Sequence, residues 1–480
     1  MSLPAVSPSA TAKSDSQPSL IRGLSLLDSV LLLAGGIIGS SIFLTAKDIA
    51  GPLPHPLLFL LVWVMGGAIS LCACVAFAEL GSMFPDSGGQ YVYLREAYGD
   101  LPAFLYGWML FSVANGGSIA ALSVASAAYL GGIIPFISQN HVVLSAAGIV
   151  LTRAHVVALI SILGVTWINV VGLRWGTILQ NLATWAKFAA MAAFVILGFA
   201  IGKGDWHHFA APGQSVTLGL SAGQLISAFG VALIAVFWAY DGWVYITWVA
   251  GEVKQPERNL PRSLILGLLL VGVIYLAINA VYLYALPMSG IAAETAVAQS
   301  AAVSMFSGAV GRWLALMIAI SCFGAMASCI MSGARVYYAM AEDGVFFHAL
   351  ARVHPRWHTP VASLVLQAIW AAVLALSGKY NELFTYVMFM MVLSYVLTTA
   401  ALFVLRRKMP SAERPYRCAG YPWLPAIYVV LGSAWFVNAL FERPKEALFG
   451  IFIVAVGVPF YFYWRRQKRA AALMEVSTAR

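Results

Sequence analysis

Apolar runs of about twenty residues recur along the whole chain, and they restrict the fold more than any other feature. A helix of about 20 residues spans the hydrocarbon core of a bilayer. With 61% hydrophobic and 10% charged residues, and a mean hydropathy of +0.84, the chain carries more apolar surface than a soluble core can bury. The sequence therefore predicts an all-α membrane protein with twelve transmembrane helices, at about 24–45, 57–81, 101–130, 155–172, 177–201, 224–249, 262–286, 312–338, 359–377, 381–404, 421–440 and 446–464.

The basic residues predict which side of the membrane each loop faces. If both ends lie on one side, the ends and alternate loops there carry twenty of the 28 Lys and Arg residues, and the other side carries seven. The positive-inside rule then makes both termini cytoplasmic, in a plasma or inner membrane. The Ser/Pro/Ala-rich tail at 1–22 has no apolar signal-peptide core, so we expect it to be disordered. Topology accounts for the net charge of +9, and we predict no nucleic-acid partner.

The motifs of several enzyme classes are absent from the sequence. It contains no Gly-x4-Gly-Lys-Ser/Thr loop, no His-Glu-x-x-His and no Gly-x-Ser-x-Gly. We therefore predict no enzymatic activity, no cofactor and no metal. Four of the five cysteines fall in predicted spans, and no Asn-x-Ser/Thr acceptor occurs, which favours a bacterial plasma membrane.

An acidic residue interrupts the sixth predicted span. The segment 238–243 reads Trp-Ala-Tyr-Asp-Gly-Trp, so Asp241 and a helix-weakening glycine fall near the bilayer centre. A carboxylate there costs roughly 2.5–3.5 kcal/mol on insertion scales and usually faces a cavity or a substrate path. The segment therefore indicates a transport site.

The first span contains a second interruption. Residues 35–43 read Gly-Gly-Ile-Ile-Gly-Ser-Ser-Ile-Phe, and each glycine costs about 1 kcal/mol in a helix interior. Taken alone, the cluster is also explained by close helix packing. Paired interruptions in two halves, however, are typical of inverted-repeat transporters that bind substrate at the midplane.

Two such helix breaks suit a zwitterionic substrate. The N-terminus of a half-helix offers free N–H groups and positive potential, and a C-terminus offers carbonyl groups and negative potential. The predicted positions are Gly39, Ser40 and Ser41 for an α-carboxylate, and Ile37, Trp238 and Ala239 for an α-ammonium group.

Several long motifs resemble those of the L-amino acid transporter (LAT) family in the amino acid-polyamine-organocation (APC) superfamily. The similarity covers residues of about 22–465 and favours a bacterial-type member. It is carried by segments 39–43, 78–81, 84–99, 237–243, 252–262, 335–344, 354–355 and 359–360.

The resemblance implies a LeuT-like inverted repeat of five plus five helices, with helices 1 and 6 discontinuous, and two additional helices. It also implies sodium-independent exchange or uptake of L-amino acids by alternating access. The implied divisions are a cytoplasmic tail at 1–22, repeats at 23–201 and 223–404, two helices at 421–464 and a second tail at 465–480.

Carried over by position, Gly39, Ser40 and Ser41 would hold the substrate carboxylate. Carbonyl groups of Ile37, Trp238, Ala239 and Asp241 would bind its amine, and Trp238 would be the aromatic gate. Two positions depart from the family pattern: Ser41 replaces the last glycine of Gly-Ser-Gly, and Asp241 stands where many members have glycine.

Asp241 therefore supports two interpretations. Some members with this aspartate carry cationic amino acids or cystine, so its carboxylate would accept a cationic side chain. Alternatively, it bonds local backbone N–H groups at the helix break.

Lys187 lies in the middle of the fifth span, about ten residues from either end, too deep for its charge to reach water. The resemblance places its ammonium beside the broken first helix, where sodium binds in sodium-coupled relatives. It would be either a purely structural ammonium or a proton carrier.

Partners and competing functions follow from the same features. The loop at 131–154 has no cysteine, so we expect no disulfide-linked heavy chain such as animal LAT members have; the oligomeric state is left open. An amino acid and the lipid bilayer are the predicted partners. Within transport, the alternative is an amine or polyamine carrier; a channel would need charged or carbonyl rings, and a sensor would need a signalling domain.

Overall fold

The protein is almost entirely helical. The computed structural model describes residues 19–138, 140–146, 149–210, 216, 218–294, 296–306, 310–378, 380–442 and 444–478, and residues 1–18 of the predicted tail lie outside them. The helices are α1 Leu26–Ile37, α2 Ser41–Leu44, α3 Ala46–Ala50, α4 Pro56–Met83, α5 Gln90–Tyr98, α6 Asp100–Met109, α7 Asn115–Gly131, α8 Arg153–Val171, α9 Leu173–Ile201, α10 Ala222–Tyr240, α11 Tyr245–Trp248, α12 Pro256–Ala285, α13 Met288–Ala293, α14 Val297–Phe306, α15 Val310–Glu342, α16 Val361–Ser377, α17 Tyr380–Lys408, α18 Trp423–Glu442, α19 Pro444–Ala455 and α20 Gly457–Thr478.

Shorter elements connect these helices. A π-helical turn, Leu110–Ala114, joins α6 to α7. Two antiparallel strands, β1 Val142–Ala146 and β2 Ile149–Thr152, form a hairpin in a loop where the sequence predicts no strand. Single 3-10 turns lie at Pro135–Ile137, Trp206–Phe209, Ala250–Glu252 and His348–Ala351.

The helices fall on the predicted spans. Within the described residues, nine helices are long and apolar enough to cross a bilayer. The predicted spans at 24–45, 359–377 and 421–440 instead contain shorter apolar helices. The all-α architecture predicted from the sequence is confirmed.

Two helices form the centre of the packing. α12 packs against α4 and α1, and α15 packs against α7, α9 and α1. Small residues allow these close contacts: a Cβ atom on Gly267 would lie 2.6 Å from Leu33 of α1. The central position of α1 places its interrupted end in the protein interior.

One end of the bundle is held by buried polar contacts. Gly23 and Leu24 donate backbone hydrogen bonds of 2.8 and 2.9 Å to the Glu252 carbonyl, and Lys254 donates one of 2.8 Å to the Leu24 carbonyl. The Glu252 carboxylate accepts two bonds, of 2.7 and 2.9 Å, from the guanidinium group of Arg335 on α15. These contacts tie the start of α1, the segment after α11 and α15 together.

Candidate functional site

The first helix break lies at residues 38–40, between α1 and α2. Ser25 and Asp28 form a capping box that starts α1. The helix ends at Ile37, where the Ile38 backbone turns away from helical geometry (φ −76°, ψ 89°). A helix C-terminus presents unpaired carbonyl groups with negative potential. The carbonyl groups at this break therefore need hydrogen-bond donors.

Lys187 supplies a side-chain donor. Its Nζ donates to the carbonyl oxygens of Gly35 at 2.7 Å and Ile38 at 2.8 Å, and the side chain is fully buried. The Ser321 hydroxyl interacts with the carbonyl groups of Ile38 and Gly39 at 3.1 Å each. The amino group of a lysine on α9 is thereby fixed at the negative end of α1.

Tyr275 on α12 joins the first break to the second. Its hydroxyl lies 2.9 Å from the Ala239 carbonyl oxygen and 3.3 Å from that of Ile37, and it also interacts with the Ser41 side chain. The structure thus brings together three of the predicted site residues. Sequence reasoning missed Tyr275; the available signal was a tyrosine deep in an apolar span, since a buried hydroxyl requires a partner.

The second break lies at residues 241–244, between α10 and α11. α10 ends at Tyr240 because Asp241 is extended (φ −65°, ψ 150°), and Gly242 follows with φ +109°. A Cβ atom on Gly242 would lie 2.8 Å from the Gly36 carbonyl oxygen of α1. Only glycine permits both this conformation and the contact between the two breaks.

The Asp241 side chain faces another part of the protein. Its Oδ1 accepts a hydrogen bond of 2.5 Å from the hydroxyl of Tyr395 on α17. Within the described residues, no Lys, Arg or His nitrogen forms an ion pair with this carboxylate. The structure therefore gives Asp241 a neutral partner on α17, and its carboxyl group also accepts from the backbone N–H of Gly242, a local group of the kind that the capping interpretation assigned to it.

Trp238 and Asp241 line a cavity that is partly open to the surroundings. Its described walls come from α4, α10, α17, α18 and the residue Trp243. Ile37, Gly39, Ser40, Ser41 and Ala239 are not among the residues that line this cavity. The lining residues are Ile69, Ser70, Ile234, Phe237, Trp238, Asp241, Trp243, Met388, Met391, Val392, Tyr395, Tyr428, Gly432 and Trp435.

Other polar residues in the spans have contacts that explain their positions. Asn115 donates to Gln367 at 2.9 Å in the interface of α7 and α16. Glu79 accepts bonds from Arg406 and Arg414. Among the described residues, no group of three His, Cys, Asp or Glu side chains is arranged to hold a metal ion.

Comparison with known proteins gives matches over nearly the full chain. The model of the amino acid permease family matches residues 24–461. The serine/threonine exchanger SteT of Bacillus subtilis is 30% identical over 94% of this chain and 98% of its own length. Asc-type amino acid transporter 1 of Mus musculus is 28% identical over 94% of this chain and 83% of its own length. The large neutral amino acids transporter small subunit 2 of Homo sapiens is also 28% identical, over 94% and 82% respectively.

Proposed function

The chain belongs to the amino acid permease family, within the APC superfamily and similar to its LAT members, and we propose that it is a sodium-independent secondary active transporter of L-amino acids. It exchanges or takes up neutral or cationic amino acids by alternating access. The ammonium of Lys187 on the carbonyl groups of Gly35 and Ile38 carries this proposal. A resident cation at the end of α1 leaves no requirement for a bound sodium ion there.

The proposed substrate site lies between the two helix breaks. The amide groups at Gly39, Ser40 and Ser41 bind the α-carboxylate because they lie at and just before the start of α2, and helix N-termini attract anions. Main-chain carbonyl groups at Ile37, Trp238, Ala239 and Asp241 bind the α-ammonium group, and Trp238 acts as the gate. The approach of Gly36 to Gly242 supports this arrangement, since it holds the two breaks in contact.

The Tyr275 hydroxyl adds a step to this scheme. It now interacts with two of the carbonyl groups assigned to the substrate, those of Ile37 and Ala239. A substrate ammonium group must therefore share these two carbonyl groups with the Tyr275 hydroxyl or displace that hydroxyl. We therefore infer that Tyr275 occupies the amine position when no substrate is bound.

The proposed membrane arrangement has twelve spans, five plus five in an inverted LeuT-like repeat and two additional helices, with both termini cytoplasmic in the plasma membrane. The breaks after α1 and α10, five spans apart, support the repeat. Labelling of single cysteines at residues 13 and 470 from each side of the membrane tests the orientation of the termini. We propose no catalytic residue. We also propose no disulfide-linked heavy chain, because the loop at 131–154 contains no cysteine.

Counterflow in proteoliposomes tests the transport proposal. Protein reconstituted with unlabelled serine, alanine or arginine inside should accumulate the labelled amino acid equally well with sodium or choline outside. Accumulation that requires sodium would contradict the role given to Lys187.

An amine or polyamine carrier is the second candidate, and one observation favours it. The Asp241 carboxylate has no basic partner among the described residues, and an amine would supply one. Labelled putrescine in the same counterflow assay distinguishes the two: accumulation of putrescine without accumulation of amino acids would replace the first proposal with the second.

A further inference from the structure

The last helix, α20, carries a group of basic residues where it leaves the membrane. It runs from Gly457 to Thr478, and the last candidate membrane span, Pro444–Ala470, ends within it. Residues 465–469 read Arg-Arg-Gln-Lys-Arg. Four basic side chains therefore lie on one continuous helix, close to the level of the lipid headgroups.

One face of α20 packs on the rest of the protein. Tyr461 and Trp464 are buried, and the Trp464 ring lies 5.1 Å from that of Phe346. The Lys468 stem continues this face, since a Cβ atom on Gly344 would lie 3.5 Å from its Cδ. At 3.6 residues per turn, positions 461, 464 and 468 lie on the same side of the helix. This contact fixes the rotation of α20 about its own axis.

A different face of α20 points away from the protein and carries two arginines. Phe462, Arg466, Arg469 and Leu473 follow one another at intervals of four, three and four residues, so a helix places them in one row. All four side chains are exposed. We call them the outer row of α20. Because Phe462 lies inside the span and is 47% exposed, the row runs from the lipid chains to the headgroups.

The arginines of the outer row have no acidic partner. Within the part of the chain that the structure describes, no carboxylate forms an ion pair with Arg466 or Arg469. Arg335, Arg406 and Arg414, by contrast, each contact a buried carboxylate. The two guanidinium groups of the outer row are therefore available to an anion from outside the protein.

We propose that the outer row of α20 is a binding site for an acidic phospholipid. The lipid phosphate contacts the guanidinium groups of Arg466 and Arg469, and an acyl chain lies along Phe462. A guanidinium group donates two parallel hydrogen bonds to a phosphate, and basic residues beside a membrane span attract acidic lipids. The site requires α20 to cross the bilayer, but it does not depend on the proposed transport function.

Lipid binding to the purified full-length protein tests the site. Native mass spectrometry in detergent would compare dioleoyl phosphatidylglycerol with dioleoyl phosphatidylcholine, which has the same acyl chains but no net charge. We expect phosphatidylglycerol to bind at least tenfold more tightly, and Arg466→Gln combined with Arg469→Gln to remove that preference. Equal binding of the two lipids to the unmodified protein, or an unchanged preference in the double variant, would overturn the proposal.

A matched double variant removes the same charge elsewhere. Lys203 and Arg312 are exposed, and Arg312 lies near the start of α15, about 45 Å along that helix from its end beside α20. We expect Lys203→Gln combined with Arg312→Gln to leave the preference for phosphatidylglycerol unchanged. An equal loss in both double variants, each judged folded by size-exclusion chromatography, would show that net charge alone attracts the lipid and would overturn the proposal.

The acyl chains distinguish a lipid site from a site for a free phosphate compound. Glycerophosphoglycerol has the headgroup of phosphatidylglycerol without its chains, and we expect it to bind at least tenfold more weakly than the lipid. Binding as tight as that of the lipid would overturn the assignment. Because lipid binding is measured without transport, failure of the counterflow experiment would leave this test intact.

Discussion

The two helix breaks differ in the groups that interact with their polar atoms. At the first, protein donors reach the carbonyl groups of Gly35, Ile37, Ile38 and Gly39, and one of those donors is the ammonium of Lys187. At the second, the carboxylate of Asp241 meets a neutral tyrosine and a cavity. The carbonyl groups of the first break are paired with donors from within the protein, whereas the Asp241 side chain of the second break also borders a cavity.

Removing the resident cation should have the largest effect. Lys187→Ala leaves two carbonyl groups without a charged donor, each interaction being worth about 1.5–3 kcal/mol. We expect the free energy of unfolding to fall by about 3–6 kcal/mol and counterflow to be lost. Denaturant titration and counterflow measure both.

Lys203→Ala is the matched control, because this exposed lysine follows the end of α9. It should change stability by less than about 0.5 kcal/mol. If Lys187→Ala still transports but no longer responds to an imposed pH gradient, the structural role is wrong and the lysine carries protons.

A side chain that forces the two helix breaks apart should have the next largest effect. Gly242→Ala introduces a side chain at φ +109° and 2.8 Å from the Gly36 carbonyl oxygen. Such backbone strain costs about 1–3 kcal/mol, and we expect counterflow to fall more than tenfold. Gly230→Ala in α10 is the control, since open space surrounds that position; equal loss in both variants would show that the contact with Gly36 is unimportant.

Neutralising the second break should change selectivity. Asp241→Asn keeps a hydrogen-bonding group toward Tyr395 but removes the charge. We expect arginine to compete with a labelled neutral amino acid about tenfold less well, a loss of about 1.4 kcal/mol, and alanine to compete as before. Unchanged competition by arginine would show that no cationic side chain reaches this carboxylate.

Removing the Tyr275 hydroxyl, which bridges the two breaks, should have the smallest effect. Tyr275→Phe removes the hydroxyl near Ile37 and Ala239 but keeps the ring packed against Trp63 and Tyr240. We expect a loss of about 0.5–1.5 kcal/mol in unfolding free energy. Tyr282→Phe on the same helix, whose hydroxyl makes one long bond of 3.4 Å, should lose less; an equal loss would contradict the bridging role.

Sequence patterns located both interruptions but not the directions of their side chains. Apolar length and misplaced glycines identify a broken span because they act locally. The orientation of Asp241 depends on the positive φ of Gly242 and on Tyr395, which lies 154 positions away. The contribution of α18 to the cavity likewise depends on packing between distant helices, which one sequence does not reveal. The role of each predicted site residue stays a prediction.

The pairing of Gly23 and Leu24 with Glu252 and Lys254 has a mechanical consequence. Because backbone bonds and the Arg335 ion pair join these segments, the starts of α1 and α12 cannot swing independently while those bonds persist. Any movement of one of these segments must carry the other with it or first break these bonds.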